Sequence, residues 1–226
     1  MNLHTVFVTH NRLELTKRAV GSYLKTVAAP HDFYIVDNGS DDGTVAWLAR
    51  NFPAVHQWRD LTENFYPGYA TNLGWSYASP QASHLHRADN DFIFVPGWCE
   101  EVERMFEANP GLGQLGLRTD EQEAFADSNV GGNCVIRREV WDAGARWDER
   151  TWPQLSAYYG PGITEDSLFT ETVRELGWQW DRVEKLCILP MMDDGDPNSP
   201  YREYHIQTWK DRRIYGYDVR PEETVE

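Results

Sequence analysis

The sequence predicts an α/β fold built on a mostly parallel central sheet, and two observations carry this prediction. Strand and helix patterns alternate along the first half of the chain, and the strand candidates there are short apolar runs that end in polar turns. Such alternation is typical of parallel sheets that bind ligands at the carboxyl ends of their strands. A chain of 226 residues that is 41% hydrophobic can fill one sizeable core, so we expect a single domain over residues 1–226.

The first half of the chain contains two strand-helix pairs. Leu3–Thr9 is a short apolar strand candidate, and after a polar break apolar residues recur at helical spacing in the segment Val20–Val27. Phe33–Val36 is the second strand candidate, and it leads into the acidic turn 37–43. Thr44 can then cap a helix, because its hydroxyl can accept a free amide of the first turn. The loops after both strands should therefore lie at one edge of the sheet.

The second half is less regular, but its elements can still be assigned. Turn residues bound the short apolar runs, and a glycine follows the last helical pattern, as is usual at helix ends. The strand candidates are 92–95, 133–136 and 186–189, and the helix candidates are 98–108 and 166–176.

Composition argues against several classes of protein. The net charge of -15 would repel a nucleic acid backbone, so nucleic acid is an unfavourable partner. No apolar run is long enough to span a bilayer, and the first residues lack the order of a signal peptide. Three widely spaced cysteines predict neither a disulfide framework nor a zinc site, which favours a cytoplasmic location. The ten tryptophans and eleven tyrosines suit sugar faces, but they suit core packing equally.

The string Asp89-Asn90-Asp91 is the most informative short motif. It lies just before an apolar strand candidate. Two carboxylates separated by one residue at a bend can hold a hard divalent cation and leave its other positions for diphosphate oxygens and water. A surface turn in an acidic protein produces the same string, so its interpretation depends on the neighbouring motifs.

Three residues of the first half have a functional and a structural interpretation. Asp37 ends a buried strand, where it can accept hydrogen bonds from a base or ribose, but an Asx turn explains the same Asp-Asn-Gly string. Gly68 would let the backbone approach a sugar or phosphate, or it is a plain turn residue. Asn72 follows one helical turn later and can share that face or cap the helix.

In order, these segments resemble the family-2 glycosyltransferases of the GT-A type, up to about Pro190. VFVTHNR is similar to that family's first strand and the loop through which the nucleotide enters, and FYIVDNGSDDGT to its second strand and acidic turn. NFYPGYATNLGWSYA is similar to its N-x-x-x-G-x-x-x-N-x-G segment, and DND with PGWCEEVERMFEANPGLG to its metal motif and following helix. GGNCVIRREVWDAGARWDE and TEDSLFTETVRELGW resemble its acceptor-side strand and its acidic helix start.

The resemblance implies a Rossmann-like, three-layer GT-A sandwich with a mixed, mostly parallel sheet. Residues 1–91 would form the nucleotide-binding half, 92–190 the acceptor half and 191–226 a C-terminal closing segment. It also implies a set of donor-binding residues at the carboxyl edge of the sheet and the adjoining helix. They are Thr9, Asn11, Arg12, Asp37, Asn38, Gly68, Asn72, Asp89 and Asn90.

The resemblance implies a divalent metal held by Asp89, Asp91 and His205. Because a neutral imidazole suits manganese better than magnesium, Mn²⁺ is favoured and Mg²⁺ is the alternative. A lone histidine is as often structural or exposed. A basic cluster near His205 can close over a diphosphate or form a solvated face, and it comprises Arg202, Lys210, Arg212 and Arg213.

The acidic pair Glu165-Asp166 follows a Gly-Pro-Gly run and begins a helix pattern. By themselves these carboxylates are explained by a favourable interaction with the helix dipole. The resemblance places them on the acceptor side, with Asp166 as the base that takes the acceptor proton in an inverting transfer. A retaining outcome stays open.

The segment 83–88 departs from the family pattern. Polar and apolar residues alternate there, where the family has a continuous apolar run before its metal motif. We therefore expect a short or edge strand, with uncertain donor-side geometry near Arg87. His84 or His86 would either contact the donor or serve packing.

Together the residues and the resemblance predict metal-dependent, inverting sugar transfer from a nucleotide sugar, with UDP as the favoured nucleotide. Glycans, small molecules, proteins and hydroxylated nucleic acid bases are all conceivable acceptors. A nucleotidyltransferase is one alternative, although the loop after the first strand has no glycine-rich, lysine-bearing sequence for a triphosphate. A catalytically silent nucleotide-sugar-binding module is the other.

Overall fold

Residues 1–52, 58–118, 130–161 and 163–191 are described by the computed structural model, and they form an α/β sandwich. The strands are β1 Leu3–Thr9, β2 His31–Asp37, β3 Trp58–Asp60, β4 His84–Asp89, β5 Phe92–Phe94, β6 Leu112–Gly116, β7 Cys134–Arg137, β8 Gln179–Arg182 and β9 Ile188–Pro190. The helices are α1 Leu13–Thr26, α2 Thr44–Asn51, α3 Tyr66–Ser76, α4 Trp98–Ala108, α5 Arg138–Asp142, α6 Trp152–Tyr159 and α7 Glu165–Glu175.

Seven strands form one mixed sheet in the order β3-β2-β1-β4-β7-β6-β8, while β5 and β9 pair separately. The pairs β1–β2, β1–β4, β2–β3 and β6–β8 are parallel. β7 is antiparallel to both of its neighbours, β4 and β6. The predicted mixed, mostly parallel sheet is thus confirmed, and it joins strands from both predicted halves of the chain.

Helices cover the two faces of this sheet. Because side chains alternate along a strand, Phe7 of β1 packs in one core with residues of α1, α2 and α4. Val6 and Val8 point the other way, into a second core with residues of α3, α5 and α7. The arrangement is the three-layer sandwich that the resemblance implies.

The expectation of a short or edge strand at 83–88 is wrong. β4 is a central strand between β1 and β7, and His84, His86 and Arg87 on it are buried. The polar residues are tolerated because they find partners inside. His86 Nδ1 lies 3.1 Å from Thr5 Oγ1, and its ring packs against Phe94 and other aromatic residues. The two histidines therefore serve packing, and they face the core instead of a donor.

The predicted cap of α2 also differs from the observed one. Gly43 occupies the N-cap position, and the Thr44 hydroxyl donates to Asp42 Oδ1 at 2.6 Å instead of accepting a helix amide. Asp42 Oδ1 also accepts the Thr44 amide at 3.1 Å, so the acidic turn itself stabilises the helix start. In the part of the chain that the structure covers, no helix combines the length and apolarity needed to cross a membrane.

Candidate active site

The loops that follow β1, β2 and β4 are tied together by Asn11 and Asn90. Asn11 Oδ1 accepts the Asp41 amide at 2.9 Å, and its carbonyl accepts Asn90 Nδ2 at 3.2 Å. Asn90 Nδ2 also donates to Thr16 Oγ1 of α1 at 2.8 Å, and Asn90 is buried. Both predicted donor-binding residues thus use their amides to hold the carboxyl edge of the sheet together, and contact with a donor remains a prediction for them.

Asp37 is buried at the end of β2 and accepts three hydrogen bonds. The Ser40 amide donates to its Oδ1 at 2.8 Å, while the hydroxyls of Ser40 and Thr9 donate to its Oδ2 at 2.7 and 2.9 Å. Burial raises the pKa of Asp37, and the Ser40 hydrogen bonds oppose that shift. Asp37 therefore forms the Asx-type turn that its sequence allows, and the Thr9 hydroxyl bonds to the same carboxylate.

Asn38 connects this turn to α3. Its Oδ1 accepts the Phe65 amide at 2.9 Å, and its carbonyl lies 2.8 Å from His10 Nδ1. Asn38 is buried, so its observed contacts are with the protein and fix the start of α3. Contact of Asn38 with a donor stays a prediction.

Gly68 and Asn72 dock α3 on the segment 147–149. A Cβ on Gly68 would lie 1.9 Å from the carbonyl oxygen of Asp148, so only glycine allows this approach. Asn72 Nδ2 donates to the Trp147 carbonyl at 2.9 Å, and Asn72 Oδ1 accepts the Trp147 amide at 3.0 Å. Gly68 thus serves the docking of α3, and its approach to a sugar or phosphate stays a prediction.

Three carboxylates converge where β4 ends and α7 begins. Burial raises the pKa of Asp89, Arg87 opposes the shift, and the charges of Asp91 and Asp166 add to it. Arg87 contacts Asp89 through its Nε and Glu165, the residue before Asp166, through its Nη1, both at 3.2 Å, so these carboxylates lie in one small region. One buried oxygen of Asp91 and one of Asp166, Oδ1 in each, have no hydrogen-bond partner among the described residues. Buried polar atoms are normally satisfied, so two unsatisfied carboxylate oxygens in one cluster indicate a place for a ligand.

Asp89 and Asp91 differ in what their oxygens do. Asp89 Oδ1 accepts Arg87 Nε at 3.2 Å, and Asp89 Oδ2 accepts Asn133 Nδ2 at 3.2 Å. Only the Oδ2 of Asp91 is engaged, by Arg12 Nη1 at 3.1 Å. Asp91 is therefore the better available ligand, although a carboxylate such as Asp89 can accept further contacts.

Arg12 places a positive charge beside the Asp89-Asn90-Asp91 string. It has a left-handed backbone with φ of 62° just before α1, and its side chain reaches across to the loop after β4. Its Nη2 donates to Asn90 Oδ1 at 2.7 Å, in addition to the Asp91 contact. Arg12 thus balances part of the negative charge of the cluster, which the sequence did not reveal because the two loops are far apart along the chain.

Arg87 is the functional residue that sequence reasoning missed. It is buried on β4, where its Nη1 donates to Glu165 Oε1 at 3.2 Å in addition to the Asp89 contact. Its guanidinium also lies over the Trp147 ring, 4.6 Å from the centroid. These carboxylates hold the pKa of Arg87 above its usual range against the effect of burial. The signal in the sequence is an arginine within a strand pattern, in the segment 83–88 that departs from the family pattern.

Glu165 and Asp166 have different environments although they are adjacent. Glu165 is buried, and its Oε2 accepts Trp152 Nε1 at 2.7 Å while its Oε1 accepts Arg87. Both of its oxygens are therefore engaged, and the carboxylate is poorly placed to act as a base, contrary to its inclusion in the predicted catalytic pair. Asp166 lies in the first turn of α7 and retains the unsatisfied oxygen.

Gly132 allows the chain before β7 to pass close to this cluster. A Cβ at Gly132 would lie 2.6 Å from Asp89 Oδ2 and 2.7 Å from Arg87 Nη2. The next residue, Asn133, accepts the Asp89 amide with its Oδ1 at 2.9 Å. The glycine therefore allows Asp89 and Arg87 to pack against the segment that leads into β7.

A divalent cation fits the chemistry of this cluster. Carboxylate oxygens are the ligands that hard cations prefer, and Asp91 provides one that is buried and unsatisfied. Within the described ranges no group of three or more His, Cys, Asp or Glu has the arrangement of a metal site. The predicted third ligand, His205, and the basic cluster near it lie outside the described residues.

Comparison with protein families and solved structures gives consistent results. Residues 5–142 match the family model described as Glycosyl transferase family 2. The chain is similar to the mannosyltransferase PcManGT from Pyrobaculum calidifontis, in complex with GDP-Man and Mn²⁺, with a TM-score of 0.68 and 16% identity over 93% of this chain and 61% of that one. No curated protein sequence matches the chain significantly.

Two further structures share the fold. S. aureus TarS in complex with UDP-GlcNAc has a TM-score of 0.64 and 14% identity, over 87% of this chain and 60% of that one. The catalytic domain of Drosophila β1,4-galactosyltransferase 7 in complex with xylobiose has a TM-score of 0.56 and 18% identity, over 86% of this chain and 72% of that one. The chain thus spans less than two thirds of the mannosyltransferase and of this TarS chain.

Proposed function

The chain belongs to glycosyl transferase family 2 and has a GT-A fold, and from that premise we propose that it moves a sugar from a nucleotide-activated donor to an acceptor hydroxyl. The observation that carries the proposal is the convergence of Asp89, Asp91 and Asp166, with an unsatisfied buried oxygen on each of the last two. One of these oxygens suits a cation and the other suits proton transfer.

Asp166 is the proposed base. It lies at the amino end of α7, where the neighbouring Glu165 is held by Arg87 and Trp152 and so fixes the first turn of the helix. In the proposed inverting transfer, the acceptor oxygen bonds to the anomeric carbon while the bond from that carbon to the diphosphate breaks. The acceptor proton passes to Asp166, and the nucleoside diphosphate leaves with the electron pair of the broken bond.

Asp91 and Asp89 are the proposed cation ligands in the described region, with His205 as the predicted third. When bound, a divalent cation neutralises charge on the departing diphosphate. Mn²⁺ is the first ion to test, since PcManGT was solved with it, and Mg²⁺ is the second. The half-buried position of Asp89 and its bond to Arg87 orient the loop that presents Asp91.

A nucleoside diphosphate sugar is the proposed donor. The TarS and PcManGT structures contain UDP-GlcNAc and GDP-Man respectively, so both nucleotides belong in a test. UDP remains our first choice. The proposed donor surface is the carboxyl edge of β1, β2 and β4, whose loops are fixed by the hydrogen bonds of Asn11 and Asn90.

The test is a panel of UDP- and GDP-sugars with Mn²⁺, followed by thermal shift and by slow donor hydrolysis. A bound donor raises the melting temperature through mass action. Asp166→Asn should lower turnover by about 10²- to 10⁴-fold, the usual worth of a general base, while the donor-induced thermal shift is retained. Glu175→Gln, an exposed carboxylate at the other end of α7, is the matched control and should retain turnover.

The products and the variant distinguish the alternatives. Release of pyrophosphate instead of a nucleoside diphosphate would indicate a nucleotidyltransferase. If Asp166→Asn changed no measurable property while a donor still bound, a silent binding module would be the correct description. Absence of any donor-induced shift, with or without metal, would contradict the proposed function itself.

A further inference from the structure

An exposed aromatic surface lies at the carboxyl end of α6, and no step of the proposed reaction uses it. Tyr158 and Tyr159 are 74% and 46% exposed, and their rings meet edge to face with centroids 4.8 Å apart. The Arg150 guanidinium lies over both rings, 4.8 Å and 4.9 Å from their centroids. We call Arg150, Tyr158 and Tyr159 the tyrosine platform.

We propose that the tyrosine platform binds the distal part of a neutral oligosaccharide acceptor, so that the acceptor class of this enzyme is a glycan chain. The inference rests on the proposed function and adds the substrate class to it. Its basis is the rigidity of the platform, its position along α6 relative to the acidic cluster, and its charge.

The platform is rigid although its tyrosines are exposed. Arg150 Nε lies 2.9 Å and 3.2 Å from the two oxygens of Asp148, and Arg150 Nη2 donates to the Tyr159 hydroxyl at 2.9 Å. The carbonyl of Asp148 is in turn packed against Gly68 of α3. The Tyr159 ring is therefore tethered through Arg150 to Asp148 before any ligand arrives, which lowers the entropic cost of binding.

The first turn of α6 contacts the catalytic region. Trp152 donates to Glu165 beside Asp166, and its ring meets Tyr66 edge to face at 5.1 Å. Tyr159 follows Trp152 by seven residues and so lies on the same side of the helix, about 10 Å further along it. An acceptor whose reacting hydroxyl lies at Asp166 and whose chain extends along α6 would therefore reach the platform only if it has several sugar residues.

The charge of the platform favours a neutral ligand. Arg150 is already paired with Asp148, so its charge is balanced and it has little attraction left for an anionic chain. Open tyrosine rings offer an apolar face to sugar C–H groups and a hydroxyl at the edge for sugar hydroxyls.

The experiment measures binding and transfer as a function of acceptor length. The probes are β-1,4-linked glucose and xylose oligomers and α-1,4-linked glucose oligomers of one to six residues, with an unglycosylated peptide as the comparison. Binding is followed by ligand-observed NMR and calorimetry, and donor hydrolysis without acceptor is measured in parallel. The variants are Tyr158→Ala with Tyr159→Ala, and Tyr158→Phe with Tyr159→Phe.

Tyr77→Ala is the matched control. Tyr77 is 51% exposed and follows the last turn of α3, whereas Tyr66, which contacts Trp152, begins that helix. The wild type should bind the longer members of at least one series about fivefold or more tighter than the disaccharide, an effect of the size expected for one or two aromatic contacts. The double alanine variant should lose this length dependence, while the double phenylalanine variant and Tyr77→Ala should retain most of it.

Each outcome separates this inference from the proposed function. Unchanged donor hydrolysis together with lost length dependence supports both. Equal length dependence in the wild type and the double alanine variant would overturn the platform, as would tighter binding of the peptide or no binding of any oligosaccharide by a protein that hydrolyses a donor. If no donor is hydrolysed, the proposed function fails, and the NMR measurement still decides whether the tyrosines bind sugar chains.

Discussion

Arg87 Nη1 lies 3.2 Å from Glu165 Oε1, and this buried contact joins strand β4 to helix α7. The same guanidinium contacts Asp89 through its Nε, also at 3.2 Å. The Arg87 side chain therefore connects the Asp89-Asn90-Asp91 string to the helix that presents the proposed base. The two parts of the site come from segments about 75 residues apart, and their spacing depends on this side chain.

Removing one partner of the Arg87–Glu165 pair should destabilise the fold strongly. Arg87→Met leaves the buried Glu165 and the half-buried Asp89 without their cation, and breaking a buried pair in this way costs about 3–5 kcal/mol. The double variant Arg87→Met with Glu165→Gln should cost less than the sum of the single changes, because no second charge at residue 165 is left unpaired. Urea denaturation measures the free energy of unfolding for Arg87→Met, for Glu165→Gln and for the double variant.

The exposed pair Arg174–Glu171 of α7 is the control for that series. Arg174→Met should change the free energy of unfolding by about 0–1 kcal/mol, as is usual for exposed ion pairs. A cost for Arg87→Met similar to that of Arg174→Met would show that the buried pair does not hold the two elements together.

Gly132→Ala should disturb the cluster directly. The new methyl group would lie 2.6 Å from Asp89 Oδ2, so the carboxylate or the loop must move, and overpacking of this kind costs about 1–3 kcal/mol. We also expect turnover with a donor to fall by about tenfold or more, because small misplacements in an active site have effects of up to about 10²-fold.

Gly21→Ala is the matched substitution in a place without close neighbours. No atom outside its own helix lies within 4 Å of a Cβ at this position in α1, and alanine should stabilise the helix by about 0.5–1 kcal/mol. Both variants are compared by thermal denaturation and donor hydrolysis. Equal behaviour of the two would contradict the close approach at Gly132.

Asp91→Asn should weaken binding of the proposed cation. The substitution removes the charge of the described ligand with the most available oxygen. The apparent affinity for Mn²⁺, measured from the Mn²⁺-dependent part of the donor thermal shift, should therefore fall by about tenfold. Asp41→Asn, an exposed carboxylate of the turn between β2 and α2, should leave this affinity unchanged. An equal effect of both substitutions would indicate general electrostatics and not a specific ligand.

His86, the more deeply buried of the two histidines on β4, predicts a pH dependence of stability. Burial lowers the pKa of His86 from 6.5 to about 3. Between these values the unfolded chain binds a proton that the folded protein does not, so this group reduces stability as the pH falls below about 6.5, by at most about 1.4 kcal/mol per pH unit.

His86→Phe removes that titration while keeping a ring among Tyr23, Phe94 and Trp98. The variant also loses the contact with Thr5, which lowers its stability at every pH by a nearly constant amount. The difference in unfolding free energy between wild type and variant should therefore change with pH between pH 4.5 and 6.5. A pH-independent difference would contradict a neutral, buried imidazole.

Local patterns were sufficient for most of the secondary structure. The helix predicted at 98–108 is observed as α4 Trp98–Ala108, and the first strand is observed as predicted at Leu3–Thr9. Here apolar spacing and turn residues agree with the tertiary structure. They failed at β4, because a strand with two histidines and an arginine shows its burial only when the partners Thr5 and Glu165 are known.

The candidate site also has features that the sequence predicted and features that it did not. Order along the chain predicted the DND string and the acidic helix start, which do converge. It did not predict that Asn72 and Gly68 serve helix docking, because their partner, the segment 147–149, is remote in sequence. Nor did it distinguish Glu165 from Asp166, since adjacent carboxylates look equivalent until one is seen paired with Arg87.

The amino-acid sequence by itself determined the layered α/β architecture, the acidic motifs and the family to which the chain belongs, because these follow from short-range periodicity and from the order of local motifs. Only the tertiary structure decided which carboxylates are engaged and which keep an unsatisfied oxygen. Burial and hydrogen bonding depend on segments brought together by the sheet, and those contacts separate a residue that builds the site from one that is available for chemistry.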